Sequence, residues 1–179
     1  IDRNSTELRS VKKSELNDLF ILDLANNHQG SVEHGINIIN AHAEICEKYN
    51  IKVAIKFQFR DLDNFIHPTH KEKSSNKHVP RFLSTRLNWD QFRQLHKAVK
   101  ARNLISVCTP FDEESIDRIV DMGFDILKIA SCSAIDWPLL EKAASTSLPI
   151  IFSTGGLLQN QVDDVVSFLN HKGANFSIM

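Results

Sequence analysis

The chain has 179 residues, of which 42% are apolar and 24% are charged, so it can bury a sizeable core within one domain. Disorder is excluded as a description of the whole chain. Twenty-one Lys and Arg residues balance twenty-two Asp and Glu residues, and the net charge of −1 excludes a global field that attracts nucleic acid or an anionic membrane. Any anion-binding site is therefore local.

The cysteines and the apolar runs indicate the compartment. Cys46, Cys108 and Cys132 are widely spaced and give neither a disulfide framework nor the ligand spacing of a zinc site. No apolar run reaches the ~20 residues that span a bilayer, and the polar segment 1–18 lacks a signal-peptide core. We therefore expect a soluble cytoplasmic protein without a nucleic-acid or membrane partner.

From residue 19 onward, short apolar runs alternate with longer amphipathic stretches, which is the pattern of βα units and a parallel sheet. The predicted strands are Leu19–Leu24, Val53–Phe59, Leu104–Thr109, Phe124–Ala130, Pro149–Ser153 and Asn175–Met179. The predicted helices are Val32–Tyr49, Trp89–Arg102, Glu113–Met122, Pro138–Ser145 and Gln159–His171. Start signals at three of these helices are the capping residues Ser31, Asp112 and Asp136.

The length of the chain limits the architecture. The first βα turn, NNHQGS, has the single glycine Gly30 and lacks the G-x-G-x-x-G of a dinucleotide-binding fold. A complete (β/α)₈ barrel averages ~250 residues, so 19–179, with a long irregular loop at about 60–88, holds about six strands. We predict a TIM-type (β/α) barrel that is incomplete in this chain. The chain is then a fragment, or a partner closes the barrel, or the sheet is open.

Ionisable side chains inside buried strands require a reason. In VAIKFQF, alternation places Lys56 and Gln58 on the face opposite the Phe and Ile side chains. Lys128 occupies an equivalent position in FDILKIAS, and Asp23 in FILDLANN. All three charges lie toward the carboxyl ends of their strands, where barrels place active sites. We expect Lys56, Gln58 and Lys128 to line one pocket with Asp23 at its edge.

Small hydroxyl side chains occur at the same level of other strands, at Thr109, Ser131 and Ser153. Hydroxyl groups and backbone N–H groups beside two lysines form a pocket suited to phosphate and carboxylate. The residues therefore indicate a barrel enzyme acting on a small phosphorylated or carboxylated substrate.

The strings LDLANNHQG, IKFQ, CTPFD, LKIAS and IFSTGG, in this order and at βα spacing, resemble the synthase barrel of the sialic acid synthase (N-acetylneuraminate synthase) family. The resemblance covers about Leu19–Met179. It implies a synthase that condenses phosphoenolpyruvate with N-acetylmannosamine or a related amino sugar, giving a nine-carbon 3-deoxy-2-keto acid. It also implies a divalent metal, Mn or Mg, with its ligands outside this chain, and it suggests a homodimer.

The same resemblance distributes roles among the residues. It implies that phosphoenolpyruvate is held by Lys56, Thr109, Lys128, Ser131 and Ser153. Gln58 and the Asn27–His28 turn are implied to lie toward the sugar. We expect catalytic roles for Asp23, Lys56 and Lys128, and we place Ser133 among the substrate-binding residues.

The sequence departs from the family pattern at two carboxylates. Asp23 stands where the family has Glu, and Ser133 stands where the family has a second Glu. Loss of the second carboxylate motivates one alternative, a degenerate barrel that binds an anionic ligand without turnover. A second alternative is a class I aldolase in which Lys128 forms a Schiff base.

Overall fold

The strands and helices of the computed structural model, which describes residues 16–71 and 76–179, follow the predicted alternation. The strands are β1 (Phe20–Asp23), β2 (Val53–Phe59), β3 (Ile105–Pro110), β4 (Ile126–Ile129), β5 (Ile150–Phe152) and β6 (Phe176–Ile178). The helices are α1 (Val32–Tyr49), α2 (Leu62–Phe65), α3 (His78–Ser84), α4 (Trp89–Ala101), α5 (Glu113–Met122), α6 (Trp137–Ala144) and α7 (Gln159–His171). None of the helices in the described ranges is both long and apolar enough to cross a bilayer.

Side-chain caps set the starts of the helices as predicted. Ser31, Asp112 and Asp136 each accept a hydrogen bond from the backbone N–H three residues later, at 3.2, 2.7 and 3.3 Å. Gly123 ends α5 with φ of 75°, in the left-handed region where a residue without a Cβ is favoured. The predicted helix boundaries therefore have a local physical cause.

The sheet is parallel and its strands follow chain order from β1 to β6. Each strand leads through a helix to its neighbour, as in a (β/α) barrel, and six strands form a half-barrel. The predicted incomplete TIM-type barrel is confirmed. Because the strands are parallel, their carboxyl ends all meet at one edge of the sheet.

Two apolar clusters cover the two faces of the sheet. The larger cluster packs the outer face, with Phe57, Phe59 and Phe152 among its members, against the helices. The smaller one lies on the inner face and is formed by Ala54, Val107, Ile126 and Ile151. We call this second cluster the floor; it extends from the amino ends of the strands to the level of the lysines, because Val107 pairs in register with Lys56 and Ile151 with Lys128.

The stretch 60–88 differs from the predicted irregular loop. It contains α2, a 3₁₀ turn at Pro68–His70 and α3, and residues 72–75 lie outside the described part. Leu62, Ile66 and Val79 form a third small apolar cluster that holds these helices together. The short helices escaped prediction because four to seven residues are too few to show a helical period. Of the predicted polar segment 1–18, residues 1–15 are not described, and Leu16 packs against the floor.

Candidate active site

Two lysines lie on the inner face of the half-barrel, beside the floor residues Val107 and Ile151. In β2 the alternating residues Ile55 and Phe57 are fully buried in the outer cluster, which turns Lys56 inward. In β4 the same alternation turns Lys128 inward, on the face that carries Ile126. The predicted strand faces are therefore observed.

Asp23 and Lys56 are partners in the register of β1 and β2. Lys56 Nζ lies 2.9 Å from Asp23 Oδ1, so an ion pair joins the carboxyl end of β1 to the middle of β2. The lysine side chain is 18% exposed and the carboxylate is 55% exposed. Asp23 thus lies at the exposed edge of the inner face.

Lys128 is buried, and its ammonium group donates hydrogen bonds to the Ile129 carbonyl oxygen at 2.9 Å and to Ser153 Oγ. Burial, together with the positive charge of Lys56, lowers the pKa of Lys128 to about 8, while Asp23 opposes the shift. The two lysines are therefore close enough to repel each other. A bound anion between them would relieve that repulsion.

The predicted hydroxyl residues surround Lys128. Ser153 contacts it directly, Thr109 is buried on the inner face of β3, and Ser131 begins a 3₁₀ turn that follows β4. A Cβ placed on Gly155 would lie 3.6 Å from Ser131 Cβ, so the loops after β4 and β5 adjoin. Ser133 is buried in the same turn, with its Oγ 4.0 Å from Cys132 Sγ.

Gln58 lies two residues beyond Lys56 and pairs in register with Thr109. Its Oε1 accepts a hydrogen bond from Arg60 Nη2 at 3.1 Å. Gln58 and Arg60 both line a cavity of about 130 Å³ between the end of β2 and the α2–α4 region. Its lining also includes Asn26, Asp61, Asp63, Arg86, Asn88 and Trp89.

Sequence reasoning missed Arg60. The signal was present, because the period of two that places Lys56 and Gln58 on the inner face places Arg60 there as well. The guanidinium carbon of Arg60 lies 3.8 Å from the ring centroid of Phe111 and 4.5 Å from that of Phe82. Burial lowers the pKa of Arg60 to about 10, so the group stays cationic at neutral pH.

The two side chains of the Asn27–His28 turn lie in different environments. Asn27 is exposed, and its Nδ2 donates to the Asp23 carbonyl oxygen at 3.1 Å, which places it beside the site. His28 is 1% exposed, packs edge-to-face on Phe92, and accepts a hydrogen bond from the Gly30 N–H. The expectation that His28 lies toward the sugar is therefore corrected: its imidazole is enclosed by the helix layer, and burial lowers its pKa.

No group of three or more His, Cys, Asp or Glu side chains within the described ranges is arranged to hold a metal ion. The carboxylate nearest the lysines, Asp23, is already paired with Lys56. These residues alone do not fit a metal centre.

A separate polar cluster lies at the amino ends of the strands. Asp125 Oδ2 accepts hydrogen bonds from the backbone N–H and the hydroxyl of Ser106, both at 2.7 Å, and Lys100 Nζ lies 2.8 Å from Asp125 Oδ1. His96 Nε2 is 3.2 Å from Ser106 Oγ, and its ring stacks on Phe124. Because Asp125, Ser106 and His96 are buried between β3, α4 and β4, we assign this cluster a structural role.

The fold and the site define an α/β-barrel protein with a cluster of cationic and hydroxyl side chains at the carboxyl ends of its strands. The chain belongs to the NeuB family, whose model matches residues 47–179. This finding confirms the family resemblance carried by the five sequence motifs.

Relatives with known names support the assignment. The chain is 27% identical over 159 residues to an N-acetylneuraminate-9-phosphate synthase of Drosophila melanogaster, covering 86% of this chain and 42% of that protein. It is 27% identical over 170 residues to an N,N'-diacetyllegionaminic acid synthase of Campylobacter jejuni, covering 87% and 48%. The chain thus spans about half the length of the curated relatives it matches.

Solved structures of other proteins match the fold of this chain. A Chromobacterium violaceum protein assigned to spore coat polysaccharide biosynthesis (protein E) is 46% identical, with a TM-score of 0.88 over 90% of this chain and 48% of that chain. An N-acetylneuraminic acid synthetase of Leptospira borgpetersenii is 25% identical, with a TM-score of 0.73 over 90% and 52%. A 3-deoxy-D-arabino-heptulosonate 7-phosphate synthase of Thermotoga maritima, 16% identical with a TM-score of 0.60, shares the fold.

Proposed function

We propose that this chain forms the phosphoenolpyruvate-binding half of a synthase that condenses phosphoenolpyruvate with N-acetylmannosamine or a related amino sugar. The convergence of Lys56, Lys128 and Ser153 on the inner face carries the proposal. Two ammonium groups and a hydroxyl match a small substrate that bears both a phosphate and a carboxylate. Membership of the NeuB family and the names of its relatives support the same reaction class.

In this proposal each residue has a simple task. Lys56 and Lys128 neutralise the two anionic groups of phosphoenolpyruvate, and the substrate relieves the repulsion between them. Thr109, Ser131 and Ser153 donate hydroxyl hydrogen bonds to the phosphate, and Ser133 completes the wall of the pocket. Gln58 and Asn27 contact the amino sugar at the open side of the site.

The chemistry balances without an oxidant or reductant. The C3 carbon of phosphoenolpyruvate forms a bond to the aldehyde carbon of the open-chain sugar, whose oxygen takes up a proton. Water adds to C2, the bond from C2 to the phosphate oxygen breaks, and a 3-deoxy-2-keto acid and inorganic phosphate result. Asp23 is the carboxylate placed to orient the aldehyde or the water, because it reaches solvent at the edge of the site.

A divalent metal, Mn or Mg, belongs to the proposal through the family resemblance. The described residues contribute no metal centre, so we assign no step of the reaction to it. Phosphate release is therefore measured with Mn, with Mg and with a chelator.

One observation favours a second candidate, a Schiff-base aldolase. The pKa of Lys128, lowered by burial to about 8, leaves a fraction of its amine neutral and nucleophilic at slightly alkaline pH. Borohydride treatment in the presence of pyruvate or a sugar phosphate would trap a covalent adduct on Lys128 if this candidate were correct. The synthase predicts no adduct.

The deciding experiment measures phosphate release from phosphoenolpyruvate by the full-length protein with a panel of amino sugars. We expect release that depends on an amino sugar and is lost in Lys128→Met. Lys52→Met is the matched control, because Lys52 is exposed at the amino end of β2. Phosphoenolpyruvate binding without release under any condition would instead support the degenerate barrel, and absence of both would contradict the proposed function.

We also propose a cytoplasmic location and a homodimer. Cys46, Cys108 and Cys132 are free thiols, and Cys132 is exposed, which suits a reducing compartment. The homodimer rests on the family resemblance, and sedimentation of the full-length protein would test it.

A further inference from the structure

The guanidinium of Arg60 forms no ion pair within residues 16–71 and 76–179, and its buried Nε has no hydrogen-bond partner there. Asp112 is near enough to raise the pKa of Arg60, but its carboxylate already accepts two backbone hydrogen bonds. The hydrogen bond from Nη2 to Gln58 uses one of the five N–H donors of an arginine side chain. Most of its capacity to bind an oxyanion is therefore unused.

Aromatic rings hold Arg60 in place. Phe111 and Phe82 flank the guanidinium group at 3.8 and 4.5 Å, and Phe65 lies at 6.0 Å. Stacking on rings orients the planar fork but does not neutralise its charge. Arg86, which lines the same cavity, differs in this respect, because it is bound by Asp63 through two hydrogen bonds of 3.1 and 2.6 Å.

The position of Arg60 along the strand direction places it on the side of the site toward which the acceptor sugar would extend. Lys56, Gln58 and Arg60 follow one another on the inner face, so Arg60 lies roughly 13 Å beyond Lys56 along the strand direction. The floor closes the other direction. Gln58, which accepts the hydrogen bond from Arg60, pairs in register with Thr109, and this places Arg60 beside the site. An acceptor whose aldehyde is at the level of Lys56 therefore extends toward Gln58 and Arg60.

The cavity beside Arg60 suits a sugar. Trp89 and Phe92 provide flat apolar surface, while Asn26, Gln58 and Asn88 provide groups that hydrogen-bond to hydroxyls. Asp61 also lines the cavity. Its Oδ2 accepts a hydrogen bond from Asn64 Nδ2, and the carboxylate can accept further hydrogen bonds from sugar hydroxyls. Arg60 is the lining cation left for a negative charge.

We propose that Arg60 is a specificity-determining residue that binds an oxyanion, a phosphate or a carboxylate, at the end of the acceptor sugar remote from its aldehyde. This inference rests on the proposed function, because it takes the acceptor to be a sugar condensed at the Lys56 level. The two anions share the chemistry that the guanidinium fork recognises.

The test measures equilibrium binding to the full-length protein by calorimetry, with N-acetylmannosamine, its 6-phosphate and its 6-carboxylate form. We expect one of the two anionic sugars to bind at least tenfold more tightly than the neutral sugar, and the tighter one identifies the anion. Arg60→Met should abolish this preference, a loss of about 10- to 100-fold, while binding of the neutral sugar changes little. Arg60→Lys should restore part of it, since it keeps the charge but not the fork.

Two controls separate the explanations. Lys52→Met should leave the preference between anionic and neutral sugars intact, because Lys52 is exposed at the opposite end of β2. Thermal unfolding of each variant establishes that it is folded. Equal weakening of neutral and anionic sugars in Arg60→Met would show that Arg60 only positions Gln58, and would overturn the proposal.

Because sugar binding does not require turnover, the calorimetric result tests the role of Arg60 independently of the synthase activity. Absence of any preference for an anionic sugar in the unmodified protein would overturn the role of Arg60 even if phosphate is released with neutral sugars. Weakened phosphoenolpyruvate binding in Arg60→Met, to the extent seen in Lys128→Met, would also overturn it, because Arg60 would then serve the other substrate.

Discussion

The carboxylate of Asp23 lies 2.9 Å from the ammonium group of Lys56, and the two residues are register partners on neighbouring strands. Their exposure is unequal, because Asp23 reaches solvent while Lys56 lies largely beneath it. A substrate that enters from the carboxyl ends of the strands therefore contacts Asp23 before Lys56. This arrangement allows the roles of the two charges to be tested separately.

Replacement of Asp23 by asparagine keeps the shape of the side chain and removes its charge. We expect turnover to fall by the ~10²–10⁴-fold typical of a positioned acid or base. Phosphoenolpyruvate binding should persist, because both lysines remain. The measurement is phosphate release alongside calorimetric binding, with the exposed Asp18→Asn as control. Unchanged turnover would reject a catalytic role for Asp23.

Phosphoenolpyruvate affinity should depend on pH through Lys128. Since burial lowers the pKa of Lys128 to about 8, its ammonium group is present below pH 8 and is lost as pH rises through that value. We expect affinity for phosphoenolpyruvate to weaken between pH 7 and pH 9. In Lys128→Arg, whose side chain stays charged, this dependence should disappear. An equal slope in both proteins would show that another group titrates.

Ser133 allows a test of whether the site is complete. It stands where the resembling family has a carboxylate, and its side chain is buried beside Cys132. If the site works as proposed, Ser133→Glu should not raise turnover, because the added charge and volume disturb a packed turn. Ser133→Asp is the smaller companion variant. A rise of tenfold or more in either would favour the degenerate barrel.

The buried histidine at the opposite end of the strands predicts a pH-dependent stability. Burial lowers the pKa of His96 to about 4, with Lys100 and Arg93 contributing and Asp125 opposing, whereas an unfolded histidine titrates near 6.5. The unfolded state therefore takes up a proton more readily as pH falls from about 6.5 toward 4. We expect roughly 2 kcal/mol of stability to be lost between pH 7 and pH 5.

Urea unfolding at several pH values measures this loss. His96→Gln removes this group and should reduce the slope over the same interval, leaving the part that comes from His28, whose pKa burial also lowers. The exposed His171→Gln should keep the full slope, which makes it the matched control. An undiminished slope in His96→Gln would assign the effect to other groups.

The sequence predicted most of the sheet because each signal was local. Alternation along β2 sufficed to place Phe57 outward and Lys56 inward, and caps such as Asp112 fixed where helices begin. His28 was misplaced because its burial depends on Phe92, sixty-four residues away, which no local pattern reveals. The alternation also placed Arg60 inward, but no local pattern reveals its cavity, which exists only once α2 to α4 have packed over the end of β2.

The cluster of Asp125, Ser106 and His96 lies on the outer side of the sheet, beside α4, and Lys56 and Lys128 lie on the inner face. Asp23 and Ser106 are two strands apart, a separation of about 10 Å. At that distance the effects of substitutions are usually additive. A variant that combines His96→Gln with Asp23→Asn should therefore show the stability of the first and the turnover of the second. The half-barrel can tolerate changes in its chemistry on the inner face while the outer face continues to hold the strands and helices together.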